Sequence, residues 1–246
     1  MKILLIIPAY NEEENIGNLI NEIDKAKNQY FSEVQLDILV INDCSKDNTS
    51  KICRLKNATV IDLPCNLGIG GAVQTGYMFA YRNGYDYAVQ VDGDGQHDPS
   101  YIKNIIEPLM SQEADLVIGS RYLKKEGFQS TYLRRIGIRY FSLLIDILVK
   151  QKITDPTSGF RACNNKVIKL FSYQYPVDYP EPESIVYLSR IGLNIREVPV
   201  IMKERHGGQS SIKSFKSVYY MIKVSLAIFI DTLRKASSMV EKEVVK

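Results

Sequence analysis

Five apolar residues in a row, Ile3 to Ile7, stop at Pro8, a pattern that predicts a strand buried on both faces of a parallel sheet. Asn11 with Glu14 three residues later resembles a capping box, and Ile16, Leu19, Ile20 and Ile23 form the apolar stripe of a helix running to about Gln29. Leu36–Ile41 and Thr59–Leu63 read as the next two strands, with a short helix opening at Asp47-Asn48-Thr49 between them. This strand and helix rhythm predicts an α/β fold built on a parallel sheet. A short strand follows in which Tyr87, Val89 and Val91 alternate, and it runs straight into Asp92. Asp98 then reads as the N-cap and Pro99 as the first residue of a helix over 99–112. A strand over Asp115–Gly119 leads to the polar stretch 123–131, which contains Gly127 and is a candidate lid. Tyr132–Val149 has helical periodicity through Leu133, Ile136, Phe141, Leu144 and Leu148, and Asp155–Arg161 breaks it. Helices over 164–171 and 182–191, a strand over Leu193–Met202 and a basic loop over Lys203–Ser211 follow. The last helix is expected over Ile212–Leu233. Between Ser217 and Ile230 its only charge is Lys223, so it is too short to span a bilayer but apolar enough to lie in an interface, dimerise or pack on the core. Glu241–Lys246 is expected to fray.

With 246 residues, 45% of them hydrophobic, the chain can bury a sizeable core. The natural division is a domain over 1–211, with halves 1–120 and 121–211, and a helical tail over 212–246. The run before Pro8 is too short for a signal-peptide core, and no stretch reaches the length of a membrane span. Cys44, Cys53, Cys65 and Cys163 lack any C-x-x-C pairing, which argues against zinc and for reduced thiols in a cytoplasm. The overall charge of +3 hides an asymmetry. Residues 1–120 carry 9 basic and 17 acidic side chains, a net of −8, whereas 121–235 carry 20 and 9, a net of +11. An acidic first half fits metal binding, and a basic second half fits an anionic ligand, an anionic membrane or simply a solvated face. The basic residues are spread among apolar helices with no nucleic-acid-binding module, which argues against nucleic acid as a partner.

Ligands of parallel α/β sheets bind at the carboxyl ends of the strands, and the candidate chemistry collects there. Asp43 follows the second strand. Asp92 and Asp94, with only Gly93 between them, can aim two hard oxygen ligands at one divalent cation, and Gln96 can add a neutral oxygen; the same residues also suit a simple turn. Asp98 is assigned to capping and His97 to the polar loop, within reach of ligand. The glycine-rich run Asn66–Gly76 lacks the third glycine of a dinucleotide fingerprint, Val73 standing in its place. It serves either close approach to a nucleotide or close packing of helix on sheet.

Taken in order, Pro8-Ala-Tyr-Asn-Glu12, Asn42-Asp43-Cys44-Ser45, Asn66-Leu-Gly68, Asp92-Gly-Asp94-Gly-Gln96, Gly119-Ser-Arg121-Tyr122 and Asp155-Pro-Thr-Ser-Gly-Phe-Arg161 resemble the family 2 inverting glycosyltransferases of the GT-A fold. Within them the closest likeness is to polyprenol-phosphate sugar transferases of the dolichol-phosphate mannosyltransferase type. The resemblance covers residues 2 to about 211 and implies a mixed, mostly parallel sheet flanked by helices, to which the composition adds the amphipathic helix at the C-terminus. It implies that Pro8, Tyr10, Glu12, Asp43, Asn66, Gly68 and Asp92 bind the nucleotide sugar, and that Asp92, Asp94 and Gln96 hold Mg²⁺ or Mn²⁺ on its diphosphate. Arg121, Arg134 or Arg135, Arg205 and Ser210 would face phosphates of donor or acceptor, and Asp94, Arg121 and Asp155 would carry catalysis. Asn42 replaces the more usual acid beside Asp43, and Cys65 stands where a basic residue often precedes Asn66.

Departure of a nucleoside diphosphate leaves negative charge that a metal ion and arginines stabilise. An acceptor phosphate is already anionic at pH 7 and needs no strong base, whereas a sugar hydroxyl needs a carboxylate, for which Asp155 is the candidate unless it only shapes a turn before Pro156. The expected partners are a nucleotide-diphosphate sugar and polyprenyl phosphate, met at the cytoplasmic face of a membrane, as in cell-wall or polysaccharide assembly. The last helix would meet the membrane surface, a membrane protein or a second copy in a homodimer. The alternatives are a same-fold transferase acting on a hydroxyl of a polysaccharide or lipid-linked saccharide, and a non-catalytic scaffold on a membrane partner.

Overall fold

The computed structural model describes residues 1–124, 126, 127, 131–203 and 214–233, with backbone alone for 133, 214–220 and 231–233. Arg205 and Ser210, expected to face phosphates, lie outside the described residues, as do four positions of the 123–131 stretch.

The chain runs β1 (Lys2–Ala9), α1 (Ile16–Tyr30), β2 (Gln35–Asn42), α2 (Thr49–Leu55), β3 (Thr59–Asp62), α3 (Gly68–Arg82) and β4 (Tyr87–Gln90). A 3₁₀ turn at Pro99–Tyr101 leads into α4 (Ile102–Met110), β5 (Leu116–Ser120), α5 (Tyr132–Val149), β6 (Arg161–Asn164), α6 (Asn165–Tyr173), α7 (Pro180–Arg190), β7 (Ile195–Pro199) and α8 (Ser214–Leu233). The seven strands form one sheet in the order β3-β2-β1-β4-β6-β5-β7. Every pairing is parallel except those of β6, which runs antiparallel to both β4 and β5.

β1 is central and fully buried beyond Lys2, so its alternation splits the core in two. Ile3, Leu5 and Ile7 point toward α1 and α4, where Ile16, Leu19, Ile20, Ile23, Ile102, Ile105 and Ile106 meet them. Leu4 and Ile6 point to the opposite layer, among Val73 and Tyr77 of α3, Val167 and Phe171 of α6, and Ile185 and Leu188 of α7. Val224 and Ile228 attach α8 to this second layer.

Three local expectations are corrected. Asn11 does not cap α1: it sits in the left-handed region (φ 54°), its side chain accepts from the Lys46 amide at 2.8 Å, and Asn15 is the N-cap. Leu193–Met202 yields a strand only over Ile195–Pro199. The stretch after Asp155 contains the strand β6, four residues long, which no apolar alternation announces because it opens with Arg161 and closes with Asn164. Its reversed direction matters for function. An antiparallel strand presents its amino end, Asp155–Phe160, beside the carboxyl ends of β4 and β5.

Candidate active site

At the end of β1, Asn11 and Glu12 turn onto the segment after β2: the Asn11 amide donates to Ser45 Oγ (2.9 Å) and the Glu12 amide to Thr49 Oγ1 (2.9 Å). Glu12 Oε2 accepts from Asn15 Nδ2 (2.9 Å), and Tyr10 is left exposed beside Pro8. Asp43 is buried, and its two carboxylate oxygens accept from the amides of Leu67 (2.7 Å) and Gly68 (3.0 Å). Asn66 Nδ2 donates to the Asp43 carbonyl at 3.2 Å. Asp43 thus satisfies amides at the start of α3 that the helix itself leaves without partners. Gly68 takes φ +75°, whereas Gly70 and Gly76 serve packing: a Cβ there would lie 2.1 Å from the Val177 carbonyl oxygen and 2.3 Å from Ile6.

β4 delivers the paired carboxylates. The Asp92 amide donates to Nδ1 of His97 (3.0 Å), whose Nε2 lies 3.7 Å from Asp92 Oδ2. His97 is buried, stacked on Phe160 with ring centroids 4.8 Å apart, so it braces the loop from behind instead of lining its mouth. Gln90 Nε2 donates to Asp92 Oδ1 at 3.3 Å. Asp94 Oδ1 accepts from the Gln96 amide (3.1 Å), and the Gln96 carbonyl accepts from the Lys203 amide (2.9 Å). Asp98 caps the following turn through the Ser100 amide (3.0 Å), with Pro99 in the first position as expected.

Opposite stands an arginine held by a buried carboxylate. Asp155 is 0% exposed, and its oxygens accept from Arg121 Nε (2.6 Å) and Nη2 (2.7 Å), a bidentate pair strengthened by the Arg121 amide at 3.2 Å. Burial opposes the charge on Arg121, but the Asp155 bonds outweigh it and hold the guanidinium pKa above its usual value. Glu197 of β7 fixes Asp155 in turn, accepting from the amides of Thr154 (2.7 Å) and Asp155 (2.8 Å) and from Thr154 Oγ1 (3.0 Å). Burial pushes the Glu197 carboxyl up against those hydrogen bonds. Arg134 and Arg135 are exposed at the amino end of α5, where both act electrostatically on Tyr122, next to Arg121.

Sequence reasoning missed three groups. Gln90 is 0% exposed and its Oε1 has no partner among the described residues. Arg161 is buried and bonds four oxygens, the carbonyls of Pro156, Ser158 and Glu181 and the hydroxyl of Ser184. Glu181, in the first turn of α7, has its pKa raised by burial, with Arg161 opposing and Asp92 adding to the shift. A lone polar residue closing an apolar strand was the available signal for Gln90, and the Arg161 end of Asp155–Arg161 for the second.

Asp92 and Asp94 supply hard oxygen donors, the chemistry of a Mg²⁺ or Mn²⁺ site. The backbone leaves room for them: a Cβ at Gly159 would come within 2.6 Å of Asp92 Oδ2. The chemistry of this donor set therefore fits a divalent cation.

Comparison with known proteins agrees with this geometry. Residues 4–171 match the family description Glycosyl transferase family 2. The UDP-N-acetylglucosamine–dolichyl-phosphate N-acetylglucosaminyltransferase of Methanococcus voltae is 33% identical, over 80% of this chain and 84% of that protein. The undecaprenyl-phosphate mannosyltransferase of Micrococcus luteus is 29% identical, over 86% and 88%. Among solved structures, mannosyl-3-phosphoglycerate synthase of Rubrobacter xylanophilus superposes with a TM-score of 0.74 at 15% identity, covering 97% of this chain and 78% of that one. Glucosyl-3-phosphoglycerate synthase of Mycobacterium tuberculosis, solved with Mn²⁺, UDP and glucosyl-3-phosphoglycerate, gives 0.69 at 18% identity over 96% and 81%. The mixed sheet, with its one reversed strand, is the GT-A-like fold that the motifs imply. Six motifs in order, a sheet that gathers them at one edge, and a sequence match across most of the chain make this protein a member of glycosyltransferase family 2.

Proposed function

We propose that the chain transfers a sugar, with inversion, from a nucleotide-diphosphate sugar to a polyprenyl phosphate at the cytoplasmic face of a membrane. One observation carries the choice of acceptor: the acidic group expected on the acceptor side, Asp155, is 0% exposed with both oxygens on Arg121. Asp155 is therefore already engaged and not placed to take a proton from a hydroxyl, and an anionic phosphate nucleophile needs no proton acceptor. The relatives from M. voltae and M. luteus, both named for lipid-phosphate acceptors, support the same reading.

In this reading Pro8, Tyr10, Glu12 and Asn66 line the nucleoside end, and Asp43 sets the loop at Gly68 against it. Asp92, Asp94 and Gln96 would hold Mg²⁺ or Mn²⁺, which when bound offsets the charge of the departing diphosphate. Arg121, with Arg134 and Arg135, draws the acceptor phosphate to the opposite face of the sugar, and Asp155 acts through Arg121. Arg205 and Ser210 are assigned to the phosphates on the motif alone.

A second reading is transfer to a saccharide hydroxyl, for which Glu181, in the first turn of α7 with its carbonyl on the buried Arg161, is the carboxylate to test as the base. Paired acceptors separate the two. Polyprenyl phosphate and the matching unphosphorylated polyprenol are offered with the same donor; labelling of the phosphate alone, little changed in Glu181→Gln, is expected. Equal use of a hydroxyl acceptor, abolished in Glu181→Gln, would transfer the assignment to a saccharide.

A further inference from the structure

The site holds two of its acids in opposite ways. Asp155 is 0% exposed and both its oxygens are bonded by the Arg121 guanidinium, so its charge is already matched. Among the described residues the Asp92 carboxylate receives one hydrogen bond, from the neutral amide Nε2 of Gln90 to Oδ1 at 3.3 Å, and the side chain stays 34% exposed. Its other oxygen lies 3.7 Å from His97 Nε2, on the side where a Cβ at Gly159 would intrude to 2.6 Å.

Gln90 is hard to explain as a folding residue. It is 0% exposed in β4, where its neighbours Ala88, Val89 and Val91 are apolar and buried. Its Oε1 has no partner among the described residues. Arg161 stands beside it on β6 as its register partner, but the guanidinium bonds the carbonyls of Pro156, Ser158 and Glu181 and the hydroxyl of Ser184, and not that oxygen. A buried amide with its oxygen unpaired costs stability that an apolar side chain of the same size would not. Its one bond aims a donor at Asp92.

We propose that Gln90 is a positioning residue for the divalent cation: its amide fixes the torsion of the Asp92 carboxylate and leaves the charge of that carboxylate to the metal. This rests on the reading of Asp92 and Asp94 as metal ligands. A guanidinium at this place would occupy the oxygens as Arg121 occupies those of Asp155, and would compete with the cation. A hydrocarbon would leave the carboxylate free to turn. A neutral donor avoids both, and hydrogen bonds of this kind to a ligating carboxylate change metal affinity by about 10–100-fold.

The test titrates the purified full chain with Mn²⁺, following the free ion by electron paramagnetic resonance, alone and with UDP, GDP or dTDP. Gln90→Met keeps the length of the side chain and removes the donor. Its Mn²⁺ dissociation constant is expected to rise about tenfold, while its melting midpoint without metal stays at or above that of wild type. Gln90→Val is expected to show the same weakening with a lower midpoint, because it leaves space in the core. A glutamine with a merely structural role would not separate affinity from stability in this way. In the transfer reaction the Mn²⁺ concentration for half-activation is expected to rise by the same factor, with kcat at saturating Mn²⁺ little changed. Unchanged Mn²⁺ affinity in both variants, or a loss that follows the fall in melting midpoint, would overturn the proposal and leave the metal ligands standing. Absence of Mn²⁺ uptake by wild type in all of these conditions would overturn the metal reading and the role of Gln90 together.

Discussion

Asp92 is defined by what surrounds it: Gln90 on one side, His97 beneath, and the Cα of Gly159 where any side chain would intrude. Gly159→Ala would place a methyl group 2.6 Å from Oδ2, and the carboxylate would have to turn away. A loss of roughly 10–100-fold in kcat/KM is expected, the size seen when the support of a metal-ligating group is disturbed, together with a higher metal requirement. The melting midpoint should fall by only a few degrees, about the shift of 1 kcal/mol in a chain this size. Steady-state kinetics across a Mn²⁺ titration checks it. Glu197 acts at one further remove, since it holds Asp155, which holds Arg121. Glu197→Ala leaves amides without partners, at about 1–3 kcal/mol. It is expected to raise the acceptor KM about tenfold with the donor KM unchanged, and Glu197→Gln, which keeps one accepting oxygen, to recover part of the loss. A donor KM that rose equally would show general damage. The paired carboxylates were legible in the sequence because two acids around one glycine at a strand end is a pattern in itself. Glu197 was not legible, since it lies 42 residues from the amide it holds and a single acid in a strand carries no spacing.

The start of α3 shows how an element is fixed by a residue outside it. Asp43→Ala would remove the acceptors of two amides, and a cost of about 1–3 kcal/mol is expected. The donor KM should rise with it, because Asn66 and Gly68 lose their anchor; calorimetric melting and donor titration together check this. Gly70→Ala would bury a methyl carbon 2.1 Å from the Val177 carbonyl oxygen, and neither backbone can yield cheaply. It is expected to cost about 3 kcal/mol, roughly 6–12 °C in melting midpoint. The glycine-rich run was readable as either nucleotide approach or packing, and the structure divides it: Gly68 serves the loop and the positive φ, Gly70 and Gly76 the packing. The parallel strands were readable from their β-branched runs. β6 was not, because a four-residue strand with Arg161 at its start has the composition of a loop, and only tertiary partners for the guanidinium make its burial tolerable.

Across the chain, the acidic half ends at the metal-type carboxylates and the basic half supplies Arg121, Arg134 and Arg135, so the sheet edge joins two electrostatic regions. The proposed function puts a diphosphate with its cation on the acidic side and an anionic acceptor on the basic side. Strand order decides that they meet: β4 and β5 are separated only by β6, whose reversal brings Asp155 and Gly159 between them. The ordered motifs implied a mixed, mostly parallel sheet, whereas the strand order and the reversal of β6 were not legible in the sequence, since pairing is set by tertiary contacts and not by local periodicity. Among the described residues no helix is long and apolar enough to cross a membrane. The most direct test of the account follows sugar from radiolabelled UDP-, GDP- and dTDP-sugars into the organic phase with polyprenyl phosphate in detergent. Label is expected to enter the lipid from one donor class with Mg²⁺ or Mn²⁺, and to vanish with EDTA or in Asp94→Ala. Lipid labelling that survives both treatments, or donor turnover that never labels the lipid, would contradict it.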